Sequence, residues 1–271
     1  MRRHRAMQLF VEWMDAQVKD AAWDASGLFL ATCGRDKAVW IWEALNVDDA
    51  TSATAADGVS PVDFECAAVL TGHNGDVKSL VFSPLAEPPV LLSSGYDNSI
   101  RTWSSDGMDW SAGPPLPTFH SSTVWSIAFT ARGDKLASGS ADCSIIVWKS
   151  EDNGASGLKW SKDRVIADAH ERDVYSVDWS KATGGAVASG GNAEEEQLLL
   201  ASAGADNFVR IWRGDDNNND DDDDDSGGRQ VAHYEFSRDV NCVQWHPHIA
   251  GLLAAALDDG TVSILRLVAP G

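Results

Sequence analysis

Short apolar or alternating runs of five to seven residues recur along the chain, separated by Gly, Asp, Asn or Ser turns. Alternation over such lengths predicts β-strands rather than helices. Five segments align without gaps on one aspartate, and an aromatic or apolar residue follows that aspartate six positions later. These segments are LATCGRDKAVWIW (30–42), LLSSGYDNSIRTW (91–103), LASGSADCSIIVW (136–148), LASAGADNFVRIW (200–212) and LAAALDDGTVSIL (253–265).

A second predicted strand precedes each segment, and in it a valine is followed five residues later by an aromatic residue. The valines are Val18, Val77, Val124, Val174 and Val240. Together the two patterns predict five repeats within a single domain that covers residues 1–271. The repeats span approximately 13–45, 64–105, 115–150, 165–213 and 232–267. A period of about 40–50 residues made of β-strands is typical of a β-propeller.

Three repeats carry the same set of four polar and aromatic residues at matching positions. The sets are His73, Ser93, Asp97 and Trp103; His120, Ser138, Asp142 and Trp148; and His170, Ser202, Asp206 and Trp212. Such a set can form a buried hydrogen-bonded relay from indole to hydroxyl to imidazole to carboxylate. A catalytic Ser-His-Asp site would be assembled once in one cleft, whereas this set recurs inside each repeat. The sequence therefore predicts structural tetrads and a protein that is not an enzyme.

The first and last repeats keep the tetrad only in part. Met14 stands at the histidine position of the first repeat, and the last repeat has Phe236, Ala255 and Leu265 at three of its tetrad positions. Degenerate repeats are typical of the ends of an array, because terminal units have a neighbour on one side only.

Composition and charge narrow the classes of function. The formal net charge is −20, and only eight of the 41 acidic groups lie in residues 215–225, so the acidity is general. Such a surface repels phosphate backbones, so nucleic acid is not expected as a ligand. No apolar run reaches the ~18–20 residues of a membrane helix, and residues 1–17 lack a signal-peptide pattern, so a soluble, unexported protein is expected.

Four cysteines are scattered through the sequence without CxxC or zinc-type spacing, so neither a metal site nor a cofactor is predicted. Two inserted segments, 46–62 and 184–197, are predicted to be mobile loops because they are rich in small and polar residues. The acidic low-complexity segment 214–228 is interpreted as a solvated loop, since it lacks the ligand spacing and the Gly turn of a calcium site.

Non-consensus residues between the repeated positions resemble one family, the WD-repeat adaptor of cytosolic iron–sulfur protein assembly. The resemblance is carried by LATCGRDKAVWIWE (30–43), DFECAAVLTGHNGDVKSLVF (63–82), SSTVWSIAF (121–129), RDVYSVDW (172–179) and RDVNCVQWHPHIAGLLAAALDDG (238–260). It implies a non-catalytic scaffold that helps to deliver clusters to cytosolic and nuclear apoproteins. The implied location is the cytoplasm, extending to the nucleus, and the implied partners are the proteins of the targeting complex and the client apoproteins. A WD-repeat scaffold in another complex, such as ubiquitin ligation or chromatin, is the alternative.

The resemblance also implies a seven-bladed propeller, and the first repeat here aligns with the family's third. We therefore expect five repeats of a larger propeller, arranged as an open arc. A closed five-bladed ring is the alternative, because residues 8–12 (QLFVE) stand where an outer strand belongs and could pair with the last repeat.

Partner-binding positions follow from the repeat geometry. The residue before each turn aspartate is expected to point toward one rim of the propeller, which selects Arg35, Tyr96, Ala141, Ala205 and Asp258. Arg35 and Tyr96 are residue types that dominate interaction hot spots. The resemblance implies partner or client recognition for Arg35, and a structural salt bridge is the alternative. Secondary candidates on the same rim are Lys19, Lys78, Trp125 and Tyr175.

Overall fold

The computed structural model describes residues 17–45, 63–85, 87–151, 159–181, 198–214 and 228–268. These residues form nineteen β-strands in five antiparallel sheets. The predicted all-β propeller architecture is confirmed. No helix in the described ranges is long and apolar enough to cross a membrane.

Each sheet is one blade, and its strands follow chain order from the innermost strand to the outermost. Blade 1 contains β1 (Val18–Trp23), β2 (Phe29–Gly34), β3 (Ala38–Leu45) and β4 (Asp63–Thr71). Blade 2 contains β5 (Val77–Phe82), β6 (Val90–Gly95), β7 (Ile100–Ser105) and β8 (Trp110–Ala112). Blade 3 contains β9 (Val124–Phe129), β10 (Lys135–Ser140), β11 (Ile145–Ser150) and β12 (Trp160–Ile166). Blade 4 contains β13 (Val174–Trp179), β14 (Leu199–Gly204), β15 (Phe208–Arg213) and β16 (Gln230–Glu235). Blade 5 contains β17 (Val240–Trp245), β18 (Leu252–Leu257) and β19 (Val262–Arg266).

Sequence repeats and blades are offset by one strand. Strand β4 lies at the start of the second sequence repeat, yet it pairs with β3 of blade 1, where Leu70 lies opposite Val39. Strand β16 likewise precedes the last inner strand and pairs with β15. The second and fifth sequence repeats therefore contribute strands to two consecutive blades and tie them together covalently.

The hydrophobic core lies between the blades. Four apolar clusters are present, and each joins the middle strands of one blade to the inner strand of the next. Between blades 3 and 4, for example, Ile145 and Val147 pack with Val174 and Trp179, all with at most 2% of their surface exposed. We call the side of a blade that packs on the preceding blade its front face, and the opposite side its back face.

Polar contacts repeat at the same seams. The side chain two positions after the first valine of an inner strand accepts a backbone N–H from the inner strand of the next blade. The pairs are Leu80 N to Asp20 Oδ2 (2.8 Å), Ile127 N to Ser79 Oγ (3.4 Å), Val177 N to Ser126 Oγ (3.2 Å) and Val243 N to Ser176 Oγ (3.1 Å). The inner strands surround a central space of about 530 Å³ that these side chains line.

Among the described residues, the arc of five blades does not close. Blade 5 has three strands there, and no described strand other than β18 pairs with β19. Exposed apolar side chains mark both ends, with Val18 and Trp23 exposed by 44% and 52%, and Val262 and Ile264 by 65% and 64%. The expectations for Met14, residues 8–12, the two inserted loops and most of the acidic segment fall outside the described residues.

Candidate partner-binding surface

The turn between the second and third strands has the same backbone construction in every blade. The residue after the turn aspartate adopts a positive φ in all five, at Lys37, Asn98, Cys143, Asn207 and Gly260. The residue before the aspartate donates its N–H to the carbonyl that precedes the inner strand. These bonds run from Arg35 to Gln17, Tyr96 to Asp76, Ala141 to Thr123, Ala205 to Asp173 and Asp258 to Asp239. Turn and inner strand thus meet at one rim, which is where the candidate residues were expected.

Buried tetrads brace three of these turns. In blade 2, His73 Nδ1 lies 3.0 Å from Asp97, His73 Nε2 lies 2.7 Å from Ser93 Oγ, and Trp103 Nε1 donates to Ser93 Oγ over 2.8 Å. The geometry fits a neutral imidazole that donates a hydrogen bond through Nδ1 and accepts one from the serine hydroxyl at Nε2. The sets His120, Ser138, Asp142, Trp148 and His170, Ser202, Asp206, Trp212 repeat these bonds at 2.7–2.9 Å.

Charge within the tetrads is fixed by hydrogen bonding. Burial alone would raise the pKa of Asp97, but hydrogen bonds from His73, Ser99 and the Asn74 N–H lower it well below its usual range. Asp142 and Asp206 show the same net lowering of pKa against burial, through His120 and His170 respectively. These carboxylates are therefore ionised at neutral pH.

Burial shifts the pKa of the tetrad imidazole in the opposite direction, because the charged form of histidine is the protonated one. It lowers the pKa of His170 below 6.5, although Asp206 opposes the shift. The three tetrad serines have no exposed surface, so their hydroxyls cannot reach a substrate.

The two end blades use other groups to brace the turn. In blade 1 the Trp42 indole donates to Thr32 Oγ1 over 2.9 Å, and Trp40 Nε1 donates to Asp36 over 2.8 Å. In blade 5 the backbone N–H and hydroxyl of Thr261 bond to Asp259. The turn aspartate thus keeps its role where the tetrad is incomplete.

A continuous set of side chains crosses the rim over four blades. We call it the rim row, and it consists of Arg35, Asp76, Lys78, Tyr96, Trp125 and Tyr175. The three aromatic rings meet edge to face, with 5.5 Å between the centroids of Tyr96 and Trp125 and again between those of Trp125 and Tyr175. The Lys78 ammonium lies 3.9 Å from the centroid of the Tyr96 ring and 5.3 Å from that of Trp125, within the range of cation–π attraction.

Arg35 and Lys78 differ in what they can offer a partner. Arg35 Nε approaches Asp76 at 3.9 Å, yet 69% of the Arg35 side chain is exposed, so this pair contributes at most ~1 kcal/mol and leaves most guanidinium donors to solvent. Lys78 is only 8% exposed and is held between Asp76, at 3.7 Å, and Tyr96. Lys78 therefore holds the rim row in place through its contacts with Asp76 and Tyr96, while the exposed guanidinium of Arg35 is accessible to a partner. Lys19 lies on the same rim and donates locally to Gln17 Oε1 at 2.7 Å.

The opposite end of the row is acidic. The Trp125 indole donates to Asp173 Oδ2 over 3.1 Å and joins blades 3 and 4. Partial burial raises the pKa of Tyr175, and the nearby carboxylates of Asp173, Asp239 and Asp258 raise it further. The Tyr175 end of the rim row thus lies near three carboxylates of blades 4 and 5, while Arg35 and Lys78 lie toward its other end.

Sequence reasoning found the aromatic and basic members of the row and missed their acidic partners. Asp76 and Asp173 both stand directly before the first valine of an inner strand, and that shared position was the available signal. Ser99 and Ser144 were also missed. They donate to the tetrad aspartates two residues earlier at 2.7 and 2.6 Å.

The four cysteines lie in different environments. Cys33 is buried, Cys143 is partly exposed, and Cys66 and Cys242 are exposed. Burial raises the pKa of all four thiols, most strongly that of Cys33. Within the described ranges, no group of three or more His, Cys, Asp or Glu side chains could hold a metal ion.

The sequence matches the family described as WD domain, G-beta repeat over residues 10–43, 64–104, 113–149 and 161–213. The chain belongs to the WD-repeat family. The matched ranges cover four of the five repeats, and the fifth WD-repeat blade is seen in the structure as β17–β19.

Several curated relatives of this WD-repeat chain are named for cytosolic iron–sulfur protein assembly. The chain is 30% identical to the probable cytosolic iron-sulfur protein assembly protein 1 of Neurospora crassa over 76% of this chain and 51% of the relative. It is 33% identical to the protein of that name from Vanderwaltozyma polyspora over 94% of this chain and 65% of the relative. The probable cytosolic iron-sulfur protein assembly protein Ciao1 of Aedes aegypti is 34% identical over 58% of this chain and 44% of the relative. The chain thus spans between 44% and 66% of the length of these curated relatives.

Proposed function

We propose that this chain is a non-catalytic adaptor of cytosolic iron–sulfur protein assembly and that it binds protein partners through the rim row. The names of its relatives support a role in cytosolic iron–sulfur protein assembly. The observation that carries the surface is the unbroken series of Arg35, Lys78, Tyr96, Trp125 and Tyr175 along one rim. Arginine and large aromatic residues dominate the energetics of protein interfaces.

Different members of the rim row offer a partner different kinds of contact. The exposed guanidinium of Arg35 suits a carboxylate of the partner, because it can donate two parallel hydrogen bonds. Tyr96, which is 46% exposed, offers a ring already held in place by Lys78 beneath it. A preorganised ring loses little conformational entropy on binding, so more of its contact energy appears as affinity.

An iron–sulfur cluster is cargo in this proposal, carried by the partners rather than by this chain. Thiolates bind such clusters, and all four cysteines here have raised pKa values that favour the thiol. The adaptor would bring cluster-carrying proteins and client apoproteins together in the cytoplasm, with nuclear clients among its targets. The tetrad serines are too deeply buried to support hydrolysis, which favours an adaptor over an enzyme.

Affinity purification of the tagged full chain tests both halves of the proposal. The expected result is recovery of iron–sulfur targeting proteins with wild type and a loss of about 30-fold in affinity with Arg35→Glu or Tyr96→Ala, since a hot-spot residue contributes about 2 kcal/mol. Lys149→Glu is the matched control for Arg35→Glu. Lys149 also pairs with one aspartate, Asp163 at 3.6 Å, and is 58% exposed away from the rim row.

The possible outcomes test the role in iron–sulfur protein assembly and the use of the rim row separately. Undiminished recovery of the same partners with both rim variants would refute the rim row as the binding surface. Recovery of cullin or histone-modifying subunits in place of iron–sulfur proteins would refute the process and support a scaffold of another complex. Equal losses in the Lys149→Glu control would show that the effect is general electrostatics.

A further inference from the structure

The rim row contains two pairs of aromatic rings with the same geometry. We call Tyr96 with Trp125 the first corner, and Trp125 with Tyr175 the second corner. In each corner the ring centroids are 5.5 Å apart and the ring planes meet at 88°. Lys78 fills the first corner, since its ammonium lies 3.9 Å from the centroid of the Tyr96 ring and 5.3 Å from that of Trp125. The first corner therefore shows, within this molecule, how such a pair of rings holds a cation.

A carboxylate accompanies each corner. Asp76 lies 3.7 Å from the Lys78 ammonium. Asp173 accepts the Trp125 indole N–H at Oδ2 over 3.1 Å, and its Oδ1 accepts no hydrogen bond from a described residue. Both aspartates stand directly before the first valine of an inner strand. An aromatic face and a carboxylate are the two groups that hold Lys78, and the second corner offers both.

The second corner has no cation of its own among the residues that the structure describes. No lysine or arginine in those ranges lies over the ring of Tyr175. Arg172 is the charged neighbour of this ring, but its guanidinium donates to the Ala205 carbonyl over 3.1 Å. Trp125 and Tyr175 are both partly exposed. The second corner is therefore accessible to a group from another molecule.

The electrostatic surroundings of the second corner favour a positive charge. Burial raises the pKa of Tyr175, and the carboxylates of Asp173, Asp239 and Asp258 raise it further. The last two belong to the same rim, where Asp258 N donates to the Asp239 carbonyl over 3.0 Å. The negative potential that opposes a phenolate at Tyr175 attracts a cation to the same place.

We infer that the second corner binds a lysine side chain of a protein partner, with the lysine ammonium against the rings of Trp125 and Tyr175 and beside Asp173. The first corner is the template, and its occupant is a compact ammonium rather than the planar guanidinium of an arginine. Both rings belong to blades 3 and 4, which have described blades on either side. The site therefore does not depend on where the sequence begins or ends.

This inference rests on the proposed function, because it takes the rim row as the partner-binding surface and adds the chemistry of the partner. The exposed guanidinium of Arg35 suits a carboxylate, and the second corner suits an ammonium. A partner that spans the rim row accordingly presents an acidic residue to blade 1 and a lysine to blades 3 and 4.

Titration of the isotope-labelled full chain with N-acetyl-lysine methylamide tests the second corner directly. The readout is the indole N–H resonance of Trp125, which Trp125→Phe identifies by its loss. The lysine probe should shift this resonance saturably. N-acetyl-norleucine methylamide, which has an alkyl side chain without the ammonium, should not. Trp40 is the internal control, because its indole also donates to an aspartate, Asp36 at 2.8 Å, but its ring lies at only 12° to that of Trp42.

Two variants separate the ring from the charge. Tyr175→Leu should weaken binding of the lysine probe about fivefold, since a cation–π contact contributes about 1 kcal/mol. Asp173→Asn keeps an oxygen for the indole N–H and removes the charge, so it should weaken binding as well. Tyr234→Leu is the matched control, because Tyr234 is 52% exposed and meets the Phe236 ring at 4.7 Å outside the rim row. Thermal melting checks that each variant folds.

Three results of the titration would overturn the inference. The first is an equal shift of the Trp125 resonance with both probes, or no saturable shift with either. The second is an equal response of Trp40 and Trp125, which would indicate general attraction of cations to an acidic chain. The third is wild-type binding of the lysine probe by both Tyr175→Leu and Asp173→Asn.

Affinity purification of Tyr175→Leu tests whether the lysine comes from the partner. Recovery of the partners should fall relative to Tyr234→Leu, and full recovery would overturn the assignment of the second corner to a partner. The titration contains no protein partner, so its failure leaves the results for Arg35→Glu and Tyr96→Ala unchanged. Failure of the second corner and failure of the rim row as a binding surface are therefore distinguishable.

Discussion

Substituting Ser138 by alanine should destabilise the protein by about 2–4 kcal/mol. The Ser138 hydroxyl is fully buried, lies 2.8 Å from His120 Nε2 and accepts the Trp148 indole N–H over 2.9 Å. Alanine leaves both of those groups buried without this partner, and each unsatisfied buried polar group costs about 1–3 kcal/mol. The volume lost with the hydroxyl oxygen is small, so the lost hydrogen bonds determine the change in the free energy of unfolding.

Urea unfolding followed by tryptophan fluorescence measures this cost, with Ser111→Ala as the matched control. Ser111 is an exposed serine in β8, and its substitution should change stability by less than about 0.5 kcal/mol. A Ser138→Ala effect as small as that of the control would refute the tetrad as a source of stability. In a double-mutant cycle, Trp148→Phe should cost less in the Ser138→Ala background than in wild type, because the bond it removes is already gone.

Three further predictions rest on single sites. Thermal stability should fall as pH decreases below about 6.5, because burial lowers the pKa of His170 and the unfolded chain takes up the proton first. Asp20 and Asp178, whose pKa values burial raises, oppose this at lower pH, and a melting temperature that stays flat or rises between pH 7.5 and 6 would contradict the prediction. Cys143→Gly should raise the free energy of unfolding by about 0.5–1 kcal/mol, since Cys143 has a φ of 68° that glycine adopts freely, and unchanged urea unfolding would argue against it. Gly95→Ala should cost at least about 2 kcal/mol in the same assay, because its Cβ would lie 2.3 Å from a backbone oxygen, and wild-type stability would disprove that close approach.

The repeat pattern was sufficient to predict the strands and the tetrads, because both depend on spacing within one repeat. Val124 and Trp148, for example, mark the inner strand and the tetrad of blade 3 directly in the sequence. The all-β architecture followed from the same local information, since each blade is assembled from neighbouring strands.

The repeat pattern does not predict the contacts between blades. Lys78 is an ordinary surface residue by type, yet its ammonium lies 5.3 Å from the centroid of the Trp125 ring in the next blade. The bond from Trp125 to Asp173 joins positions 48 residues apart, and no periodicity within a repeat specifies it. The angle between blades decides such contacts, and short-range sequence patterns do not encode that angle.

The seams described above have a consequence for how the chain folds. Each inner-strand hydrogen bond, such as Val177 N to Ser126 Oγ or Val243 N to Ser176 Oγ, joins a blade only to its immediate neighbour. Folding can therefore start at any adjacent pair and spread in both directions, as in a one-dimensional array. Among the five described blades, blade 3 lies in the middle with two blades on each side, while blades 1 and 5 are the ends. Amide hydrogen exchange should accordingly be slowest in β9 and β10 and quicken stepwise toward β1 and β19.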